Sequence, residues 1–269
     1  MEALSQVDAW PAENVSAGVV RGGELVATHG PRERPFSWAS VTKPVVALSV
    51  LVAAEEGTVD LDEPAGPPGS TVRHLLAHAS GLFEGREPIS PPGRRRIYSN
   101  AGFELLAELV EERAEMPFAD YLGQAVLTPL GLDAELRGTA AAGLVGSLDD
   151  LIRVARELLT PSLIAPETLA EATTVQFPGL SGVLPGMGRF DPNDWGLGVE
   201  LRDDKPGHWS GTRVSPRTFG HWGGSGTFLW VDPEAGLAFG VLTDLDFGDW
   251  AKEAWPRLSD AVVEELERG

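Results

Sequence analysis

Apolar and polar positions alternate with strand-like spacing at both ends of the chain and with helical spacing between them. Asn14 to Val20 and Glu24 to His29 are β-prone runs joined by Gly22-Gly23, a combination that predicts a hairpin. Val41 to Glu56 carries apolar residues at helical spacing and stops at Gly57; Pro44 is tolerated there because it falls in the first turns. Thr71 to Ala79 reads as a short helix closed by Ser80-Gly81, between loops at Pro64 to Gly69 and Glu84 to Gly93. Helices are predicted over Phe103 to Arg113, Phe118 to Leu127, Leu148 to Leu159 and Pro166 to Thr173. Strands return at Gly196 to Leu201, Thr218 to Trp222, Thr227 to Val231 and Leu237 to Thr243, the last pair joined through the turn Asp232 to Gly236. Trp250 to Arg268 is a closing amphipathic helix.

This order predicts an α+β fold: an antiparallel sheet built from both chain ends, flanked by helices, with a mostly helical insertion. We expect one domain over residues 1–269, with an α/β lobe at about 1–57 and 196–269 and a helical lobe at about 58–195. At 269 residues and 42% hydrophobic, the chain is long enough to bury a large core. Its net charge of −19 argues against nucleic acid or an anionic membrane surface as a partner. Cysteine is absent, which excludes disulfides and thiolate metal sites. Met1-Glu2-Ala3-Leu4-Ser5 is not a basic region leading into an apolar core, and no run approaches the length of a membrane span. A soluble, cytoplasmic protein is expected; the oligomeric state is left open.

Candidate chemistry starts at Ser40-Val41-Thr42-Lys43. Residues three apart share a helix face. A serine hydroxyl needs a base before it becomes a good nucleophile, and a desolvated lysine can serve while an arginine cannot. The chain has only three lysines, Lys43, Lys205 and Lys252, which makes one at this spacing conspicuous. Three more stretches join it: His74-Leu75-Leu76-Ala77-His78-Ala79-Ser80-Gly81-Leu82, Tyr98-Ser99-Asn100, and Gly220-His221-Trp222-Gly223-Gly224-Ser225-Gly226.

In this order and separation the motifs resemble the serine hydrolases related to class C β-lactamases and penicillin-binding proteins. The similarity runs from about Val15 to Asp244 and includes Leu229 to Glu234. The resemblance implies a β-lactamase-like fold and a metal-free, cofactor-free acyl-enzyme mechanism on a small-molecule ester or amide. Ser40 attacks a carbonyl and becomes acylated, with Lys43 and Tyr98 sharing its proton. Tyr98 acts as a base only if cations such as Lys43 and His221 lower its pKa from near 10. The choice between Lys43 and Tyr98 as base stays open. The backbone N–H groups of Ser40 and Gly224 are implied as the oxyanion donors, one of which is typically worth about 2.7–4 kcal/mol. Asn100 is expected to contact substrate or Lys43, and Gly223 and Gly224 to let backbone approach the substrate.

Two departures bear on substrate. Trp222 stands where the family has a hydroxyl residue that helps hold a substrate carboxylate, and it offers only an indole N–H. His221 replaces a lysine and would lose its charge above about pH 6.5 if unperturbed. Both changes point away from β-lactams and D-Ala-D-Ala peptides and toward neutral esters or small amides, with an ester of a small or medium hydrophobic acid as the favoured substrate. The alternatives are a β-lactamase or D-amino-acid peptidase on the same residues, and a catalytically silent relative that binds a ligand through the old cleft. His74 and His78 lack a third ligand and a His-Glu-x-x-His pattern, so no metal site is expected. Arg94-Arg95-Arg96 reads as a solvated loop, with the sharper alternative that one arginine reaches the cleft and binds an acidic group. Trp38, Trp195, Trp209 and Phe83 are candidates for an acyl pocket or for core packing.

Overall fold

The computed structural model describes residues 1–268. Six antiparallel strands form the main sheet in the spatial order Glu24–His29, Val15–Arg21, Leu237–Thr243, Thr227–Asp232, Phe219–Gly223, Glu200–Leu201. The N-terminal hairpin joins the C-terminal strands through Val15–Arg21, which pairs with Leu237–Thr243 from Val15 opposite Thr243 to Arg21 opposite Leu237. The sheet is therefore built from both chain ends, as the α+β pattern predicts.

The sheet is covered on both faces, and strand alternation sorts its side chains. Phe228 and Trp230 face the C-terminal helix Asp249–Arg268, packing with Trp255, Leu258 and Val262. Leu229 and Val231, on the opposite face, join the core that holds the helices Thr42–Glu55 and Leu148–Leu159. That cluster continues unbroken through Leu75, Phe103 and Val126 into the helical middle of the chain. Thr42–Glu55 is nearly enclosed, with eleven of its fourteen residues buried, because its sequence is apolar on every face. Leu148–Leu159 is set by a capping box in which Ser147 and Asp150 satisfy each other's backbone N–H groups. No helix among the described residues is long and apolar enough to cross a membrane.

Several elements differ from their sequence expectation. The helix expected over Thr71 to Ala79 is Val72–Leu76, ending where His78 adopts a left-handed φ of 54°. The helix expected from Phe103 begins at Asn100, because the Ser99 hydroxyl accepts the Gly102 N–H as an N-cap. Phe118 to Leu127 is an α-turn at Phe118–Leu122 followed by a wider π-type turn at Gly123–Leu127. The strand expected at Gly196 to Leu201 shrinks to Glu200–Leu201, since Gly196 N–H donates to Val199 and closes a tight turn. Two small sheets escape the pattern because their strands are two or three residues long. One joins Phe36–Ser37 to Leu144–Gly146, and the other joins Arg96–Ile97 to Gly182–Leu184 and Gly188–Phe190.

Gly18 and Gly240 face each other on neighbouring strands beneath Leu148–Leu159. A Cβ at Gly18 would lie 2.6 Å from Ile152 Cδ1, and one at Gly240 would lie 2.6 Å from Leu151 Cδ2. The bare strands let the helix close on the sheet. Gly240→Val should cost about 1–3 kcal/mol through overpacking, read as a lower urea midpoint with an unchanged slope.

Candidate active site

Trp38 fixes the approach to Ser40: its indole N–H donates to the Gly146 carbonyl at 3.1 Å, and its own carbonyl accepts the Thr227 hydroxyl at 3.0 Å. Ala39 then takes a φ of 43°, an unusual value for a residue with a Cβ. The tight turn Ala39–Val41 leaves Ser40 half-buried at the start of Thr42–Glu55.

Lys43, one turn later, is fully buried. Its Nζ donates to Asn100 Oδ1 at 2.7 Å and to the Ala141 carbonyl at 2.9 Å, and lies 3.2 Å from Ser40 Oγ. Two acceptors match the two N–H bonds of a neutral amine, which leaves its lone pair for the Ser40 hydroxyl proton. Burial pushes the Lys43 pKa down to about 7, while the Glu104 carboxylate pulls the other way. Glu104 also accepts the Ala141 N–H at 2.9 Å and so anchors the loop whose carbonyl meets Lys43.

Tyr98 arrives from the loop after Arg96–Ile97, and its hydroxyl donates to Ser40 Oγ at 2.8 Å. Burial raises its pKa above the ordinary phenol value, with the bond to Ser40 acting against the shift. The condition for Tyr98 to act as the base, a pKa lowered by neighbouring cations, is therefore not met. His221, on the strand Phe219–Gly223, corrects a second expectation. Burial, and then the charge on Lys43, lower its pKa to about 3, so it is a neutral imidazole. Its Nδ1–H donates to the Trp222 carbonyl at 2.7 Å, and Nε2 is left as a buried acceptor with no protein partner.

Ser40, Tyr98, His221 and Gly224 line one cavity of 180 Å³ together with Glu200 and the apolar walls Leu184, Pro185, Trp195 and Trp222. Asn100 meets Lys43 rather than this cavity. The Trp222 ring also packs on Phe247, ring centroids 4.3 Å apart. Gly223 lies against protein, since a Cβ there would stand 2.5 Å from the Trp38 carbonyl oxygen; at Gly224 a Cβ would meet open space. Only the second glycine thus leaves backbone open to a ligand.

The remaining sequence candidates separate. Trp38 is core, and Trp209 packs behind the site with its indole N–H on Glu200 Oε2 at 2.6 Å. Trp195 lines the cavity, while Phe83 lines an adjoining cleft. His74 bonds Thr71 and stacks on Phe177, whereas His78 accepts the Ser99 N–H and packs against Tyr98. Arg96 lines the cleft that holds Phe83 but is buried, not solvated. Its guanidinium donates to the carbonyls of Ala77 (2.6 Å), Gln176 (2.7 Å) and Asn193 (3.1 Å), bracing the Tyr98 loop. Burial lowers its pKa to about 10, opposed by Asp194.

Three contributors were not anticipated from sequence: Glu104, the Ala141 carbonyl and Glu200. Glu104 follows Asn100 by one helical turn, a spacing that places both on the face toward Lys43 and is visible in the sequence. A backbone acceptor has no sequence signal. Glu200 accepts from Lys205 Nζ at 2.8 Å and lies 3.2 Å from His208 Nε2. Burial alone would raise its pKa, but the Lys205 charge, His208 and their hydrogen bonds hold it well below the usual carboxylate range.

Comparison with known proteins agrees with this architecture. Residues 8–263 match the Beta-lactamase family model. A beta-lactamase from Mycobacterium bovis, known from its crystal structure, is 52% identical with a TM-score of 0.96 over 98% of each chain. Esterase EstB of Burkholderia gladioli is 26% identical over 84% of this chain and 81% of its own length. Penicillin-binding protein 4* of Bacillus subtilis is 28% identical over 36% of this chain, a match that spans 29% of that protein. The hydrolase EstCE1 shares the fold, with a TM-score of 0.79 at 18% identity over 97% of this chain and 96% of its own. With its family match running nearly end to end over a β-lactamase-like fold, the chain belongs to the beta-lactamase family.

Proposed function

We propose that the protein is a serine hydrolase that cleaves esters of small or medium hydrophobic acids through an acyl-enzyme on Ser40. The observation that carries this reading is the pair of contacts on Ser40 Oγ: the Tyr98 hydroxyl at 2.8 Å and the Lys43 amine at 3.2 Å. The directions of the two pKa shifts divide their roles. Lys43, lowered to about 7, accepts the Ser40 proton as Oγ attacks the ester carbonyl. Tyr98 keeps its proton and supplies it to the departing alkoxide, then recovers one from the Lys43 ammonium. The oxyanion sits between the N–H groups of Ser40 and Gly224. Water repeats the sequence on the acyl-enzyme, so one ester and one water become an acid and an alcohol. His221 Nε2, an acceptor without a protein partner, takes a hydrogen bond from the alcohol or the incoming water.

Esters are favoured over β-lactams and D-amino-acid peptides by what surrounds Ser40. His221 brings no positive charge and Trp222 no hydroxyl, so neither serves a carboxylate beside the scissile bond. The EstB match supports an ester substrate. The second reading, a β-lactamase on the same residues, draws support from the 52% identical Mycobacterium bovis protein described as one.

Hydrolysis of p-nitrophenyl acetate and butyrate by wild type and Ser40→Ala, with nitrocefin in parallel, tests the proposal. Ester turnover lost in the variant with little nitrocefin cleavage supports the esterase. Ser40-dependent nitrocefin cleavage transfers the assignment to β-lactamase. Equal ester rates in both proteins leave a silent, ligand-binding relative. Tyr98→Phe should lower kcat/KM by about 10²–10⁴, the usual worth of a positioned acid.

The amine must be neutral to accept a proton, so kcat/KM should rise through pH 7 and level off above it. At pH 5, two units below, about one hundredth of the plateau should remain. Lys43→Arg, protonated at every accessible pH, should lose the activity and this dependence together.

A further inference from the structure

Beside the cavity at Ser40 lies a larger cleft that the reaction leaves unassigned. Tyr98 and Pro185 line both spaces. Ligand pockets commonly span about 300–1,000 Å³. The Ser40 cavity, at 180 Å³, is smaller than that, and the adjoining cleft, at 600 Å³, falls well within it.

The cleft combines two properties that are scarce elsewhere on this molecule. Five large hydrophobic side chains are exposed among the described residues, and three of them line it: Phe83 (48%), Ile89 (64%) and Val183 (57%). Such clustering of exposed apolar surface marks a binding site more often than scattered residues do. The cleft is also cationic on a chain whose net charge is −19. Arg94, Arg95 and Arg189 line it, no carboxylate residue does, and none of the three forms an ion pair among the described residues. Arg189 has only the Ser181 hydroxyl, at 3.2 Å. Nearby Arg86, by contrast, is paired with Glu108. Guanidinium groups so placed suit a planar anion.

We propose that this cleft is a substrate subsite for an apolar chain ending in an anionic group, typified by a carboxylate, and that the preferred esters carry such a chain. The inference rests on the ester-hydrolase reading above. It places the anion beyond Tyr98, at the far end of the chain from the scissile bond, unlike a carboxylate beside it. The anionic chain can belong to the acyl part or to the alcohol part of the ester, and the two are separable by experiment.

In the acyl arm, kcat/KM is compared for p-nitrophenyl butyrate and the mono-p-nitrophenyl ester of adipic acid. In the alcohol arm, the pair is phenyl butyrate and 4-(carboxymethyl)phenyl butyrate. Each is measured on wild type and on Arg94→Gln/Arg95→Gln/Arg189→Gln, with Arg189→Gln alone as a milder variant. In one arm the anionic ester should be preferred by about tenfold or more, the worth of one charge-assisted hydrogen bond, and the triple variant should erase that preference. Raising salt from about 0.05 M to about 0.5 M should shrink it, since screening shortens to a few ångströms. No preference in either arm, or one that survives the substitutions, overturns the proposal. If wild type turns over no ester at all, the hydrolase reading fails by itself, and calorimetric titration of adipate decides the subsite. Adipate binding that is lost in the triple variant sustains it; absence of binding to wild type, or equal binding to both proteins, refutes it.

Discussion

The desolvation of one amine organises this molecule. Lys43 sits in the first turn of a helix that is buried on nearly every face, where a charged ammonium is costly to keep. No carboxylate lies within ion-pair distance, so the amine is brought down to about 7 instead of being paired. A buried neutral amine still needs partners for its N–H bonds, and Asn100 and the Ala141 carbonyl supply them. Each partner is held in turn: Asn100 by the helix that Ser99 caps, Ala141 by Glu104. What remains of the amine's bonding capacity points at Ser40.

Lys205 shows the other treatment of the same residue type. It is equally enclosed, yet Glu200 stands 2.8 Å from its Nζ, with the carbonyls of Asp194 and Leu201 completing its bonds. One lysine is paired with a carboxylate; the other is unpaired and has its pKa lowered to about 7. The difference lies in a carboxylate among the three partners of Lys205, where Lys43 has a side-chain amide and a hydroxyl besides its one carbonyl. Arg96 extends the theme: a guanidinium cannot shed its proton, so the fold surrounds it with backbone carbonyls and uses it to brace the Tyr98 loop.

Much of the architecture was legible in the chain because long elements average over many residues. The hairpin at Gly22-Gly23, the helix at Leu148–Leu159 with its Ser147 cap and the alternation in Thr227–Asp232 carry their structure in local pattern. The short strands at Arg96–Ile97, Gly182–Leu184 and Gly188–Phe190 do not, because two or three residues define no period. Those pieces line the arginine-rimmed cleft beside the Ser40 cavity. The walls of that cleft were therefore the least visible in the chain.

Spacing and side-chain chemistry were enough to single out Ser40 and Lys43 and the α+β order of elements, because these are local properties, and the resemblance to class C β-lactamases and penicillin-binding proteins added Tyr98, Asn100, His221 and Gly224. The protonation states were decided by the tertiary structure alone. The sequence made Tyr98 a base only if cations lowered its pKa, and burial raises it; His221 is not the unperturbed imidazole but is lowered by burial and neutral. A pKa reports how much water a group has lost and which charges stand near it, and both depend on segments distant in sequence. The same holds for the Arg94-Arg95-Arg96 run, whose third member turns inward while the first two face a cleft shared with residues 181–189. Three adjacent guanidinium groups look alike in a sequence, and only packing against the rest of the chain distinguishes them.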